Sequence, residues 1–320
     1  MKSWLRLRRL ATVGLGVLSI APGTSAQLLF SDNFDSGNSG ANWTVNRSGA
    51  DAVADFAFNY STLGIPSAPN SGGSTIGVRF LVNQSAGVFQ GVSASPTGGS
   101  FVGDYRMRFD MWLNFNGPAP AGGSGSTQVG TFGIGTTGTT AEWAGGSSSV
   151  MFAVTTDGNS AQDYRVYTNN VHVSPLTGVY AAGSTTSPDS RNAADPYYAQ
   201  FGGKTAPADQ ITLFPQQTGT TGAGTAAWAW HDVQIDKIGD LVTWSIDGLR
   251  IATVSTNGTT PGNDIFLGMF DSNGTSSTDP NDFLITAIYD NLTVTGVPEP
   301  STCLLGCLGA AAFFLFRRRK

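Results

Sequence analysis

The amino-acid sequence has little charge, little cysteine, little histidine and almost no glutamate. Only 12% of the 320 residues are charged, about half the usual share, which argues against a coiled coil or a helical bundle. The only cysteines are Cys303 and Cys307, so the chain before them holds no disulfide, thiolate zinc site or cysteine nucleophile. The two histidines, His172 and His231, are too few and too widely separated to indicate zinc, and His231 is predicted to be a hydrogen-bonded core residue.

Charge is distributed unevenly along the chain. Eight of the 17 lysines and arginines lie at the two ends, and between residues 27 and 297 there remain 9 basic against 21 acidic residues. This central region therefore carries a net charge near −12, which repels phosphate backbones and argues against a nucleic-acid partner. Of the 22 acidic residues, 20 are aspartate, which is typical of turns and of cation ligands rather than of helices.

Glycine and aromatic residues are abundant where charge is scarce. There are 42 glycines and 11% aromatic residues, and short apolar stretches alternate with Gly, Asn, Asp, Ser and Pro. The pattern predicts short strands at 41–47, 52–60, 74–83, 88–94, 104–114, 127–134, 149–155, 162–169, 227–238, 241–246, 249–254, 264–270 and 283–295. We therefore expect an all-β fold over residues 27–296, either a sandwich or a barrel. Residues 177–226 are predicted to form a long loop or insertion.

The clearest local pattern lies in residues 227–254. Asp247-Gly248 predicts a hairpin turn, because both central positions of a two-residue turn need a positive φ. In the strand before it, Val242, Trp244 and Ile246 alternate with polar residues, so that one face is apolar. We expect three antiparallel strands here.

These strands also carry a resemblance. Trp230-His231, followed by the strand that ends in Asp247-Gly248, resembles the central hairpin of laminin-G-like and concanavalin-A-like domains. Residues 30–35 and 289–294 are similar to the first and last strands of such jelly rolls. The resemblance implies a jelly-roll sandwich of two antiparallel sheets, in which the two ends of the folded region pair in one sheet.

The first 26 residues have the organisation of a secretory signal peptide. A basic start is followed by an apolar stretch from Leu10 to Ile20 and by small residues up to Ala26. We predict cleavage between Ala26 and Gln27 and export through the secretion machinery. The alternative is an uncleaved N-terminal membrane helix.

The C-terminal segment 297–320 has three successive parts. They are the motif Val297, Pro298, Glu299, Pro300 and Ser301, an apolar run over 303–316, and the basic end Arg317, Arg318, Arg319 and Lys320. The apolar run is predicted to be a short transmembrane helix whose basic end stays cytoplasmic. This order resembles the PEP-CTERM sorting signal of Gram-negative bacteria. The resemblance implies an exosortase-type protease as partner and delivery to the cell surface or an exopolysaccharide matrix; the alternative is a simple anchor.

Paired carboxylates are the first requirement for a jelly-roll glycosidase. Between residues 27 and 297 the only glutamate is Glu142, so the Glu-x-Asp-x-x-Glu pattern of laminarinase-type enzymes is absent. Asp232 and Asp236 lie on one predicted strand and face the same way, but surface aspartates are usually solvated charges. We therefore predict a non-catalytic protein. The alternative is a polysaccharide-degrading enzyme that uses aspartates.

A candidate ligand face lies on the predicted strand 104–114. Its odd-numbered positions are apolar and face the core, whereas the alternate row contains Arg106, Arg108, Asp110 and Trp112. Charge beside a tryptophan suits the binding of extracellular polysaccharide. The alternative is a solvent-facing row in which a loop covers Trp112.

Two groups of oxygen ligands are candidates for a structural calcium ion, the only cofactor that we expect. Asp32 and Asp290 meet if the terminal strands pair. Asp271 and Asn273 lie in an oxygen-rich loop that departs from the EF-hand pattern. The alternative for both groups is ordinary turn hydrogen bonding by Asp and Asn.

Overall fold

The computed structural model describes residues 26–82, 84, 89–120, 128–157, 163–173, 195–256, 260–272 and 281–298. Gln27–Val297 forms one compact unit. Within the described residues the strands are β1 (Leu28–Asp32), β2 (Trp43–Arg47), β3 (Val53–Asn59), β4 (Ile76–Leu81), β5 (Gly91–Pro96), β6 (Tyr105–Asn114), β7 (Gln128–Thr136), β8 (Val150–Thr155), β9 (Tyr164–Thr168), β10 (Val171–Val173), β11 (Trp230–Ile238), β12 (Leu241–Ile246), β13 (Leu249–Ser255), β14 (Asp264–Asp271) and β15 (Thr286–Gly296). A short helix, α1, spans Ala208–Leu213.

The strands form two antiparallel sheets. Sheet A has the order β13-β12-β11-β6-β15-β4-β3, with β1 also paired to β15, and sheet B has the order β10-β9-β8-β7-β14-β5-β2. The first and last strands therefore pair in one sheet, with Asp32 opposite Leu292. This architecture confirms the predicted all-β jelly-roll sandwich.

The core lies between the two sheets. Strands such as β6 and β12 alternate inward apolar with mostly polar outward positions, whereas β8 and β14 are buried along their whole length. On β6, Met107, Phe109 and Met111 point inward and are fully buried. The Phe109 ring meets the Phe132 ring of sheet B edge-on at 5.1 Å between centroids. Burying each such side chain stabilises the fold by about 1.5–3 kcal/mol.

Most strands lie where the sequence predicts them. The range 241–246 coincides with β12, and Asp247 and Gly248 both have positive φ, 49° and 77°, as the predicted turn requires. Strands β1 and β10 are absent from the ranges that the strand pattern predicts, although the resemblance places a first strand at residues 30–35, which overlaps β1. Both are short edge pairings, and β10 has only three residues, too few for an alternating pattern.

The described part of segment 177–226, residues 195–226, contains a 3-10 turn at Pro196–Tyr198 and α1 but no strand. It packs firmly on the sandwich. The Tyr198 ring stacks on Tyr164 at 4.5 Å, and the side-chain amide of Gln217 donates to the carbonyl of Phe115 at 2.6 Å.

No helix among the described residues is both long and apolar enough to cross a membrane. The predicted transmembrane run 303–316 and nearly all of the predicted signal peptide lie outside the described residues.

Candidate functional site

The alternate row of β6 lies on the outer face of sheet A, the face turned away from sheet B. Along this row exposure falls from one end to the other: the side chains of Arg106 and Arg108 are about half exposed, whereas Asp110 and Trp112 are buried. One strand thus contributes to an open half and a covered half of the same sheet face.

Trp112 belongs to the covered half. It is 1% exposed and packs in a second apolar cluster with Ile288, Leu284 and Trp228. The Trp230 ring lies against it at 5.7 Å. Trp112 therefore does not present its ring to a ligand, because chain segments from outside sheet A cover it.

The two arginines of the open half are paired with aspartates of β11. Arg106 Nε donates to Asp236 at 2.6 Å, and Arg108 Nε donates to Asp232 at 2.6 Å. Asp232 and Asp236 are thus engaged in ion pairs on a solvated sheet face.

A polar cleft of about 680 Å³ opens beside Arg108. It lies between β1, the turn that follows it, and the middle of β15. Its lining residues are mostly amides and hydroxyls: Phe30, Ser31, Asp32, Asn33, Ser36, Ser39, Asn42, Asn70, Arg108, Phe109, Asn291, Leu292 and Thr293. We call it the β15 cleft.

A β-bulge in β15 forms one wall of this cleft. The pairing with β6 shifts register between Asp290 and Thr293, and Asn291 has a φ of 54°. A bulge bends the strand and re-aims the side chain at that position. Here it directs Asn291 toward Asp110 and the cleft.

Asp110 fixes two of the amides that line the cleft, those of Asn70 and Asn291. It accepts hydrogen bonds from the side-chain nitrogen of Asn70 at 2.8 Å, from its backbone N–H at 3.2 Å, and from Asn291 Nδ2 at 2.8 Å. Because a carboxylate only accepts, both NH₂ groups must face Asp110. The two amide oxygens therefore point away from it, and no described residue donates to them.

Asp290 lies directly across the strand pair from Asp110 and is fully buried. Burial raises the pKa of Asp290 to about 7, and the charges of Asp35 and Asp110 act in the same direction. Hydrogen bonds from the Tyr60 hydroxyl at 3.0 Å and from the backbone N–H of Asn291 at 2.7 Å oppose the rise in pKa. Asp290 therefore gains its proton near neutral pH, which relieves its repulsion with Asp110.

Asp32 forms the opposite wall. One carboxylate oxygen accepts from the backbone N–H of Phe34 and the hydroxyl of Ser39, both at 2.8 Å, and the other accepts from the indole of Trp43 at 2.9 Å. Phe34, which is fully buried, has a φ of 58°. Such a conformation is uncommon for an aromatic residue.

These contacts bear on the predicted calcium sites. Asp32 and Asp290 each accept hydrogen bonds from neighbouring donors, and the strand register sets Asp32 opposite Leu292 rather than opposite Asp290. Asp271 is buried at the end of β14 in the other sheet, and Asn273 lies outside the described residues. The described residues contain no group of three or more His, Cys, Asp or Glu suited to a metal ion.

Glu142 is fully buried by the turn that follows β7. Its carboxylate accepts from the hydroxyls of Thr136 at 2.6 Å, Ser147 at 3.0 Å and Ser149 at 2.7 Å, and from both the hydroxyl and the backbone N–H of Ser148 at 3.0 Å. Glu142, the only glutamate between residues 27 and 297, therefore has a structural role, because its hydrogen bonds hold this turn together. His231 is likewise satisfied, between Asp247 at 2.7 Å and the carbonyl of Ala226 at 2.9 Å.

Asn70 and Asn291 are the cleft residues that the sequence reasoning missed. Asp290-Asn291 places two polar residues in succession inside an otherwise alternating strand, which is a signal for a bulge. Asn70 has no comparable signal, because its place over Asp110 depends on how a long connection folds back onto the sheet.

Of the sorting residues, Val297 and Pro298 are described, and Glu299 to Ser301 and Arg317 to Lys320 are not. The backbone N–H of Val297 donates to the carbonyl of Asp104 at 2.9 Å, so the sheet continues to the first residue of the motif.

Several solved structures are similar to this sandwich, at low identity. A Bacillus subtilis protein of unknown function with a galectin-like fold is 11% identical, with 85% of this chain and 98% of that chain covered and a TM-score of 0.37. The Bacillus licheniformis β-glucanase is 13% identical, with 84% of this chain and 98% of that chain covered and a TM-score of 0.40. The exoplasmic domain of VIP36 with bound Ca²⁺ and mannose is 10% identical, with 81% of this chain and 84% of that chain covered and a TM-score of 0.40. No curated protein sequence matches the chain.

The sheet topology and the terminal motif together define the class. The chain is a jelly-roll sandwich, and its residues 296–320 match the PEP-CTERM protein-sorting motif. It is therefore an exported protein that is anchored in the membrane for sorting before it is processed at the cell envelope.

Proposed function

We propose that this protein is a non-catalytic cell-surface or matrix protein that binds a neutral polysaccharide in the β15 cleft. The observation that carries the proposal is the pair of amide oxygens, from Asn70 and Asn291, that Asp110 orients away from itself and leaves without a donor among the described residues. Fixed acceptors of this kind suit the hydroxyl groups of a sugar.

Other cleft residues complement these acceptors. Arg108 donates its Nε–H to Asp232, and the other N–H groups of its half-exposed guanidinium remain able to donate to sugar oxygens. Phe30, partly buried against Trp43 at 5.8 Å between rings, supplies apolar surface for the faces of sugar rings.

Charge favours a neutral ligand over an anionic one. The central region carries 21 acidic against 9 basic residues, and the one arginine at the cleft is already paired. An anionic polysaccharide would meet repulsion from most of the surface. We therefore expect hydroxyl groups, not carboxylates or sulfates, to be recognised.

The alternative is an aspartate-based polysaccharide-degrading enzyme. The adjacent carboxyl groups of Asp110 and Asp290, one with its pKa raised to about 7, favour it. Against it, both groups are buried and hydrogen-bonded, and neither lines the cleft. We assign them a positioning role: they hold Asn70 and Asn291.

Sorting and calcium complete the proposal. An exosortase-type protease recognises the motif that begins at Val297, and the processed protein is retained at the surface or in an exopolysaccharide matrix.

A structural calcium ion at Asp271 and Asn273 stays a prediction. If the ion binds, a chelator lowers the melting temperature of the purified protein.

A glycan array followed by titration calorimetry tests the binding proposal. We expect a neutral glycan to bind the wild type, and Asn70→Ala and Arg108→Ala each to weaken binding about tenfold or more, which is 1.4 kcal/mol. Asn263→Ala and Arg250→Ala change exposed residues outside the cleft and are the matched controls.

Three outcomes contradict the proposal. Absence of glycan binding by folded protein supports a pure scaffold. Equal losses in the cleft and control variants place the site elsewhere. Hydrolysis of the bound glycan that disappears in Asp110→Asn supports the enzyme.

A further inference from the structure

The chain leaves the sandwich at one end of sheet A, where several strands end side by side. Gly296 at the end of β15 donates to the carbonyl of Gln27 at 2.8 Å, next to the start of β1. On the other side of β15, Gly296 is opposite Tyr105 at the start of β6, and Tyr105 is opposite Lys237 of β11. The sorting motif therefore begins at this edge of the sheet.

Exposed apolar side chains concentrate at the same end. The described residues contain eight large apolar side chains that are exposed, and five of these are here, each between 38% and 68% exposed. They are Leu28, Leu29, Val102, Ile238 and Leu241, which we call the exit rim. Scattered exposed apolar residues are normal, but a cluster indicates a contact surface.

Strand pairing and one side-chain hydrogen bond hold the exit rim together. Ile238 and Leu241 are paired across the β11–β12 hairpin. Lys237 of this hairpin donates its ammonium to the carbonyl of Gly103 at 3.0 Å, beside Val102. Leu28 pairs with Thr295 on the last strand before the motif. The five side chains thus border the point where the chain leaves the fold.

The linker between sheet A and the apolar run is short. Only residues 298–302 separate Val297 from the apolar run that begins at Cys303. Fully extended, such a linker spans at most about 20 Å at 3.3–3.6 Å per residue. The headgroup region on one side of a bilayer is itself about 5–8 Å thick. While the tail is in the membrane, the end of sheet A is therefore kept close to the lipid surface.

We propose that the exit rim rests in the headgroup region of the membrane while the sorting tail is attached. The occupant is lipid, because the linker brings this end to the bilayer and the side chains match its apolar boundary. The central region carries a net charge near −12, so an anionic lipid surface repels it. The contact therefore depends on the tail and is lost when the tail is cleaved.

Lipid quenching in reconstituted full-length protein tests this proposal. In a Cys303→Ser, Cys307→Ser background, Leu241→Cys is labelled with an environment-sensitive fluorophore and inserted into phosphatidylethanolamine–phosphatidylglycerol vesicles that contain nitroxide lipids. We expect the label to lose roughly half of its fluorescence, because interfacial apolar groups lie about 5–10 Å into the headgroup boundary. Val102→Cys should behave in the same way.

Leu213→Cys is the matched control. Leu213 is 52% exposed, close to the 54% of Leu241, but it ends α1, which packs through Gln210 against Asn114 at the opposite end of β6. Its label should keep its fluorescence. Labels on the native Cys303 and Cys307 of the unmodified chain report that the tail is inserted.

Two results overturn the proposal. With the tail inserted, a label at position 241 that is quenched no more than one at 213 shows that the exit rim does not touch lipid. Cross-linking between labels at 241 on two chains, without lipid quenching, identifies a second copy as the occupant instead.

Discussion

The two halves of the outer face of sheet A are built on the same strand yet have opposite character. At the Trp112 end, segments from outside the sheet bury aromatic side chains in a second apolar cluster. At the Arg106 end, the face consists of ion pairs in water, and between the two ends lies the β15 cleft, which rests on a buried carboxyl pair. The difference teaches that the strand determines the face on which a side chain lies, whereas the segments that cover the sheet determine which side chains on that face are buried.

The largest effect should come from breaking the covered half. We expect Trp112→Ala to lower the free energy of unfolding by about 3–5 kcal/mol, because it leaves a cavity beneath Trp230 and Ile288. Urea unfolding of the variant measures this. Arg106→Ala, on the same row of the same strand, is the control and should cost less than about 1 kcal/mol. Similar losses of unfolding free energy in the two variants would show that the two halves do not differ in their contribution to stability.

The buried carboxyl pair gives an effect of intermediate size that depends on pH. Because folding raises the pKa of Asp290 from 3.8 to about 7, its contribution is fully present below pH 4 and is lost as pH rises to about 7. This amounts to roughly 2–4 kcal/mol. Asp290→Asn cannot ionise, and its amide can donate to Asp110, so its stability should fall less over this range.

Urea unfolding at several pH values between 4 and 8 measures the slope for each protein. Asp240→Asn replaces an exposed turn aspartate and should leave the wild-type slope unchanged. An identical slope in the wild type and Asp290→Asn would show that Asp290 does not change its proton affinity on folding.

The smallest effect should come from the open half. A double-mutant cycle on Arg106 and Asp236 should give a coupling energy of no more than about 1 kcal/mol, because solvent and salt screen a half-exposed pair. Thermal unfolding at low and high salt measures it. A coupling above roughly 2 kcal/mol would mean that this half is a rigid, preorganised surface.

Much of the fold is predictable from the sequence because the determining pattern is local. Alternation along β6 assigns Met107 and Phe109 to the core, and Asp247-Gly248 fixes the β12–β13 turn through the positive φ that it requires. These features need no knowledge of the rest of the chain.

The candidate site was predictable only in part. Arg108, Asp110, Asp32 and Asp290 were singled out from strand position, and they do lie at or beneath one cleft. The burial of Trp112 and the use of Asn70 depend on which distant segments fold over the sheet, and alternation carries no information about that. Likewise, the register shift beside Asn291 lies where the neighbour on the other side of β15 changes from β4 to β1, a change that only the folded sheet reveals.

The position of β15 in sheet A has a consequence for when the protein can fold. It lies between β6 on one side and β4 and β1 on the other, so the sheet stays divided until residues 286–296 are present. Pairings between such distant parts of a chain form late. During export, the chain up to residue 296 must therefore cross before the sandwich can close, and the PEP-CTERM sorting motif begins at that same residue.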